Sequence, residues 1–421
     1  GSAAYDSTNG KVVIAYQDGG NSSYATAIVG TVSGTSITFG TPVVFQSSHT
    51  NSYGVTYDSA NQKVVIAYVQ ISDYHGRAIV GTVSGTSISF GSAVKFQSSS
   101  IAQVAAAYDS TAEKVVIAYR NASNHGAAVV GTVSGTSISF GSIVIFEAAQ
   151  TGSISLVHHI TNNKTVIAYG DEADSGKGKA IVGTVSGTSI SFGTAVTFNS
   201  GSNTQQISIA YDSTNSKIVI AYKDSGNSNY GTAIVGVVSG TSIGFGIEVV
   251  FESAIVDATS IAYDSINQKI VIGYQDGGNS NYPTAIVGTL SGTSTISFGT
   301  PIVLESNAQY VFTAAYDVTN RKVVFAYGNG ASPGTATAVV FGVTSQTTNL
   351  TTENYIGIAA EAISNTATGK VNILTGTNTG QTGLTTAQTY FVQPTGTLAT
   401  SAGSPSVVAG TAISDTKILV R

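Results

Sequence analysis

The stretch YDSTNGKVVIAY, residues 5–16, decides the architecture of this chain because it returns six more times. YDSANQKVVIAY begins at Tyr57, YDSTAEKVVIAY at Tyr108, YDSTNSKIVIAY at Tyr211, YDSINQKIVIGY at Tyr263 and YDVTNRKVVFAY at Tyr316. A degenerate copy, HHITNNKTVIAY, begins at His158. Successive starts lie 50–53 residues apart, and the seven copies cover about residues 1–345. Self-similarity at a period of this size is the signature of a solenoid or a propeller.

Each copy reads as four short strands. Strand A ends at the Tyr-Asp pair, and the polar run after it turns the chain. Strand B is the KVVIAY run, as in Val12-Val13-Ile14-Ala15-Tyr16. It is apolar at every position, which predicts burial on both faces. Strand C is TAIVGTV, Ser-Gly-Thr makes the next turn, and strand D is SISFGTPVVF, read as one strand. β-branched and aromatic residues dominate, and turn signals recur at short intervals. No segment carries a useful helical period. The expected fold class is therefore all-β: a seven-bladed β-propeller followed by a small C-terminal β-domain. The runner-up is an open β-solenoid. The expected domains are residues 1–345 and residues 346–421.

Composition narrows the function. Of 421 residues, 17 are Lys or Arg and 22 Asp or Glu, so 9% are charged. An ordinary domain carries about 25%. A net charge of -5 with only Arg77, Arg120, Arg321 and Arg421 argues against nucleic acid as a partner. With Cys at 0, no disulfide framework, iron–sulfur cluster or zinc-thiolate site is available. No apolar run reaches the roughly 18 residues of a membrane span, so membrane insertion is not expected. The chain begins Gly-Ser-Ala-Ala without an initiator Met, as expected of a processed or expression product or of part of something longer.

Seven copies in one chain permit an internal comparison. The A–B turn (Asp-Ser-Thr-Asn-x-Lys) and the C–D turn (Ser-Gly-Thr-Ser-Ile) scarcely change. The B–C loop changes from QDGGNSSY at residues 17–24 to VQISDYH, RNASNH, GDEADSGK, KDSGNSNY, QDGGNSNY and GNGASPGT in the later copies. The D–A connection varies too, from QSSHTNSYG to ESAIVDATS. In a four-stranded meander the B–C and D–A connections emerge on one face. That face is the expected recognition surface, since loops on a rigid scaffold are where binding usually sits.

The B–C loops end, copy by copy, on Tyr24, His75, His125, Lys177, Tyr230, Tyr282 and Thr335. Five of the seven are flat rings that can stack on the apolar face of a sugar. Asp18 and Asn21, Asp224 and Asn227, and Asp276 and Asn279 stand nearby to bond its hydroxyls. The alternative is that the tyrosines only cover blade edges. DGGNS also has the oxygens and glycine turns that suit Ca2+, although one carboxylate per loop is few for a tight site. No other cofactor or metal is expected.

Catalytic constellations are weak. His158–His159 occupies the Tyr-Asp slot of the fourth copy, on the constant face, with no fixed carboxylate partner visible in sequence. Repeat drift explains it better than a metal or catalytic role. The acidic cluster Asp171, Glu172 and Asp174 falls on the opposite face. Paired carboxylates for glycoside cleavage would have to come from these and from singles such as Glu147 and Asp257. Arg77, Arg120 and Arg321 fall in different copies, unlike the convergent arginines of a sialidase. The remaining acids are mostly the repeated turn Asp, such as Asp6, Asp58 and Asp109, which has a structural role. The chain is not expected to be an enzyme.

Residues 346–421 break the repeat. The SISFG strand of the seventh copy is missing, and NYIGIAAEAI, GKVNILTG, QTYFVQP and TKILVR supply other strands. The stretch near Tyr355 is an alternative completion of the seventh blade. GLTTAQTYFVQPTGTLAT and AGTAISDTKILV carry a resemblance to a small β-domain at the C-terminal end of fibre and structural proteins of tailed phages, marine ones especially. The upstream repeats are similar to those found before it in such chains. The resemblance implies a virion tail-fibre or receptor-binding protein, exposed on the virion surface and extracellular. It implies host cell-surface polysaccharide and other virion proteins as partners, and a homo-oligomer, trimer or hexamer. It implies no catalytic residues. A second reading is a structural decoration or self-assembling filament subunit. A glycan-cleaving enzyme is a third.

Overall fold

The computed structural model describes residues 1–292, 294–307, 309–329, 336–343, 358–359, 371–372, 376–379, 381–392, 397–401 and 407–420. The chain divides into two compact units, Gly1–Val343 and Thr344–Arg421. Among the described residues no helix is long and apolar enough to cross a membrane.

The first unit is the propeller. In the first copy strand A is Ser2–Asp6, strand B Lys11–Asp18 and strand C Tyr24–Ser33. They form an antiparallel meander in which Tyr5 faces Val12 and Ile14 faces Ile28. The unbroken apolar run of strand B behaves as its sequence predicts. Val12, Val13 and Ala15 are wholly buried, as are Val65, Ile66 and Ala67 in the second copy. Strand B is clad on both faces by the neighbouring blades.

Strand D differs from expectation. It is two strands: Ser36–Phe39 pairs with the far half of strand C, and a segment beginning at Val43 pairs with the near half. The break falls at Gly40, whose amide donates to the Val29 carbonyl at 2.9 Å. A Cβ at Gly40 would collide with the carbonyl of Thr86 in the next copy. Gly91, Gly141 and Gly193 meet Thr136, Thr188 and Thr241 in the same way. The glycine after SISF is thus a point of close approach between blades.

The D–A connection also differs from expectation. In the first, third and fifth copies the strands Val43–Asp58, Val144–His159 and Val249–Asp264 leave one blade and enter the next without a loop. Within the first of these, His49 pairs with Tyr24 of one sheet and Thr50 with Gln70 of the next. QSSHTNSYG and ESAIVDATS are therefore extended chain rather than loop. A bulge at Ser52, Ser153 and Ala258 (φ 48, 48 and 51) adjusts the strand to its new sheet.

The ring closes. Val12, Ile14 and Val32 of the first copy share a cluster with Ala315, Val324 and Ala326 of the seventh. Tyr5 donates to the Thr319 hydroxyl at 2.6 Å. Closure sets aside the open solenoid and leaves each blade with two neighbours. In the seventh copy Gln309–Asp317, Lys322–Asn329 and Ala336–Phe341 form a three-stranded sheet. The stretch near Tyr355 lies outside the described residues.

The second unit holds a five-stranded sheet around Tyr390, Val392, Val407, Ala409 and Ile418. Strands Thr389–Val392 and Ile418–Val420 lie in the expected QTYFVQP and TKILVR segments. Val407–Ala412 is an additional strand that pairs with both. The Tyr390 hydroxyl accepts from the Thr385 amide at 2.9 Å.

Candidate functional site

The two ends of the propeller are built differently. On the A–B turn end, the buried Asp of each turn organises the chain. Asp212 accepts from the Thr214 and Asn215 amides at 2.9 and 3.0 Å and from the Asn215 side chain at 2.7 Å. Asp6, Asp58 and Asp264 hold the same turn. The Thr of that turn then receives the next blade's tyrosine: Tyr57 donates to Thr8 and Tyr263 to Thr214, each at 2.6 Å. The constancy of these turns has a structural cause, since each side chain bonds its own turn or the adjacent blade.

The fourth copy keeps this scheme with different residues. His159, wholly buried, accepts from the Asn162 amide at 3.3 Å through Nδ1, as the turn Asp does elsewhere. Its ring lies 4.5 Å from that of Tyr211. His158 Nε2 lies 3.5 Å from Asp109, so the carboxylate partner invisible in the sequence comes from the third copy's turn. Burial holds both imidazoles below their ordinary range.

On the B–C end, the six described candidate residues take one equivalent place. Tyr24, His75, His125, Lys177, Tyr230 and Tyr282 each open strand C of their own copy, half-buried. No hydrogen bond or ring contact joins one to another among the described residues. Thr335 lies outside the described residues. Asn21, Asn227 and Asn279 are exposed. Asp18, Asp224 and Asp276 each accept from a glycine amide two residues on, at 3.0, 3.1 and 2.9 Å. These carboxylates shape their own loops. Burial also raises the Asp276 carboxyl above its ordinary value.

The B–C loops are tied to the next blade through backbone. The carbonyls of Tyr74, Asn124, Gly176 and Asn229 accept from the amides of Ile101, Thr151, Thr204 and Val256 at 2.9, 2.9, 2.7 and 3.1 Å. Such bonds place the loop and leave its side chains free to differ.

The charges concentrate in the second to fifth copies, and the acids Asp73, Asp171, Glu172, Asp174 and Asp257 on this end are paired. Arg77 grips Asp73 with bonds of 2.8 and 2.6 Å and holds its carboxyl far below the usual range. His75 and Lys95 flank the same carboxylate at 3.0 and 3.6 Å. Lys179 bonds Asp171 at 2.5 Å and lies 3.4 Å from Asp174, which also pairs with Lys177 at 2.9 Å. Arg120 lies 3.8 Å from Glu172, and Lys223 2.8 Å from Asp257. Arg77 and Arg120 serve different acids in different blades.

A recurring pair escaped the sequence reading. The tyrosine of strand B donates to a carboxylate: Tyr169 to Glu147 at 2.9 Å and Tyr274 to Glu252 at 3.0 Å, both on the preceding copy's D strand, and Tyr222 to Glu248 at 2.9 Å, in the break of its own copy's strand D. Burial and the adjacent carboxylate push these phenols up. The rings are wholly buried between blades and stack near Phe146, Phe198 and Phe251. For Glu147 and Glu252 the signal was present as the Glu directly after Phe146 and Phe251; Glu248 stands before its run.

The fourth copy also opens a hollow on the B–C end. A cavity of about 210 Å3 is lined by Gln103, Gly152, Gly170, Glu172, Thr204 and Gln205 together with residues adjoining them in the chain and Gly176. It exists because Gly152 and Gly170 face each other across the strand pair. Other copies put side chains there: Asn51 with Val69, Gln205 with Lys223, Asp257 with Gln275. None of the twelve described candidate residues lines it. The missed signal was the Gly after Tyr169, where the first and sixth copies have Gln.

Comparison with known proteins bears on the fold. No family model matches the chain, and no curated protein matches it. Solved structures do. A periplasmic gluconolactonase from Pseudomonas aeruginosa superposes with a TM-score of 0.56 at 12% identity, over 79% of this chain and 96% of that one. A protein from Lactobacillus plantarum superposes with a TM-score of 0.54 at 12% identity, again over 79% and 96%. The chain is a β-propeller, with a small C-terminal β region. At this identity the likeness speaks for the fold alone.

Proposed function

We propose that the propeller is a non-catalytic recognition module that contacts cell-surface glycan through the face carrying the B–C loops. One observation carries the reading: six side chains occupy equivalent, half-buried positions on one end of a closed ring, four of them in loops held to the next blade by backbone bonds that leave their identity free. Rings at such positions supply flat apolar surface, and the exposed Asn21, Asn227 and Asn279 supply hydrogen bonds. The C-terminal resemblance supports placement as a fibre or receptor-binding protein on the surface of a tailed phage. There its partners would be host polysaccharide, other virion proteins and further copies of itself in a trimer or hexamer.

The test is a glycan array with the intact chain, repeated after Tyr230→Ala and Tyr282→Ala. Loss of binding in the variants is the expected result. Unchanged adsorption to host cells would remove the tyrosines from the reading. A second reading, a decoration or filament subunit, is favoured by apolar side chains exposed on the outer strands, including Val44, Ile145, Val250 and Ile302. Self-assembly of the purified chain without any carbohydrate would favour it.

A further inference from the structure

We propose that the cavity of the fourth copy receives one neutral sugar residue of that glycan. The inference rests on the glycan reading and places the contact at a site that reading did not contain. The fourth copy is where the repeat is broken on both ends, and the break on the B–C end removes side chains. A Cβ at Gly170 would press on the Thr204 carbonyl, and one at Gly152 would collide with Glu172. Restoring the side chains of the other copies would therefore fill the hollow.

Its lining selects the chemistry. Thr204 is 3% exposed, and its hydroxyl has no hydrogen-bond partner. The Gln103 carbonyl oxygen is buried and likewise unpartnered. Buried polar groups are normally bonded, so these two are poised for a ligand that both donates and accepts. Gln103 and Gln205 carry amides, which do the same in return. A sugar hydroxyl matches that requirement, whereas an apolar ligand would leave these groups unpaired.

Charge and size narrow the choice. Glu172 has Gln150 and Arg120 as partners, so the rim offers no spare cation to a carboxylate or phosphate. That favours a neutral residue over a uronic acid. A volume of about 210 Å3 holds about seven waters at about 30 Å3 each. It lies below the roughly 300 Å3 at which drug-sized pockets begin. One ring fits, with the rest of the glycan outside. No aromatic side chain lines the cavity, so binding there is by hydrogen bonds rather than stacking.

The experiment titrates the full chain with glucose, galactose, mannose, N-acetylglucosamine and glucuronate, by calorimetry or saturation-transfer NMR. At least one neutral sugar should bind. Thr204→Val keeps the side-chain shape and removes the hydroxyl, and should weaken binding about tenfold. Gly170→Ala intrudes on the cavity and should weaken it at least as much. Tyr263→Phe, at the opposite A–B end, should leave monosaccharide binding unchanged. Melting temperatures check that each variant folds, and Thr204→Val carries the test if Gly170→Ala does not.

The proposal is overturned if no neutral sugar binds, if glucuronate binds best, or if binding survives both cavity variants. In the last case a positive glycan array leaves the glycan reading standing with its contact elsewhere, and the cavity holds water only. An intact chain that binds nothing on the array removes both.

Discussion

The two ends of the propeller solve one problem with different bonds. Both must hold each blade to the next. The A–B end does so with side chains: a buried Asp in every turn but the fourth copy's, and at four of the seams a tyrosine paired with the threonine of the preceding copy's turn. The B–C end does so with backbone, as when the Asn124 carbonyl receives the Thr151 amide. Side-chain bonding demands particular residues in copy after copy. Backbone bonding demands only chain direction. Sequence constancy at one end and variety at the other are thus consequences of how the seams are bonded. Variety on the B–C face is permitted by the fold, and binding has to be argued from the residues that use the permission.

The largest effect should come from breaking the constant end. Asp212→Ala strips three accepted bonds from a buried turn and should cost about 2 kcal/mol. Urea unfolding measures it, and a loss below about 0.5 kcal/mol, the scale of a neutral surface change, would undo the contrast. Tyr263→Phe removes one bond across a seam and should cost about 0.5–1 kcal/mol. Thr214→Val in the same background should then add little, which a double-mutant cycle reads directly.

The fourth copy sharpens the contrast through pH. Burial lowers the pKa of His158 and His159 from an ordinary 6.5. Below that pH the unfolded chain binds more protons than the native ring, so stability present above about pH 6.5 is lost as acid is added. Protonating Nδ1 of His159 also removes the acceptor that caps its turn. The double replacement His158→Tyr with His159→Asp restores the repeat. It should flatten the fall in melting temperature between about pH 7 and about pH 5. An unchanged slope would place the acid sensitivity elsewhere. The smallest effect on stability belongs to the variable end: Asn227→Ala, exposed in its loop, should stay within about 0.5 kcal/mol of the parent.

Much of the propeller was legible from periodicity. Seven KVVIAY runs gave seven doubly buried strands, because an all-apolar run has no face to offer water. The break in strand D was not legible. Gly40 looks like any turn glycine until Thr86 of the next blade is set against it. Three of the D–A connections, those after the first, third and fifth copies, varied like loops and are extended, since an edge-to-edge transfer between sheets needs only β-competent residues. The candidate site residues were placed at one equivalent position each, yet the cavity was overlooked. Its defining residues are glycines, and a missing side chain attracts attention only once its neighbours are known.

From the amino-acid order alone came the number of blades, the strands, the turn chemistry and the scarcity of charge, all set by short-range patterning repeated copy by copy. The tertiary structure decided what depends on residues far apart in the chain. Tyr5 meets Thr319 and closes the ring. Asp109 meets His158 across a seam. Gly152 and Gly170 stand opposite each other beside Thr204 and leave a hollow. Ring closure brings together residues whose separation in sequence carries no local signal, and only packing reveals which absences leave space.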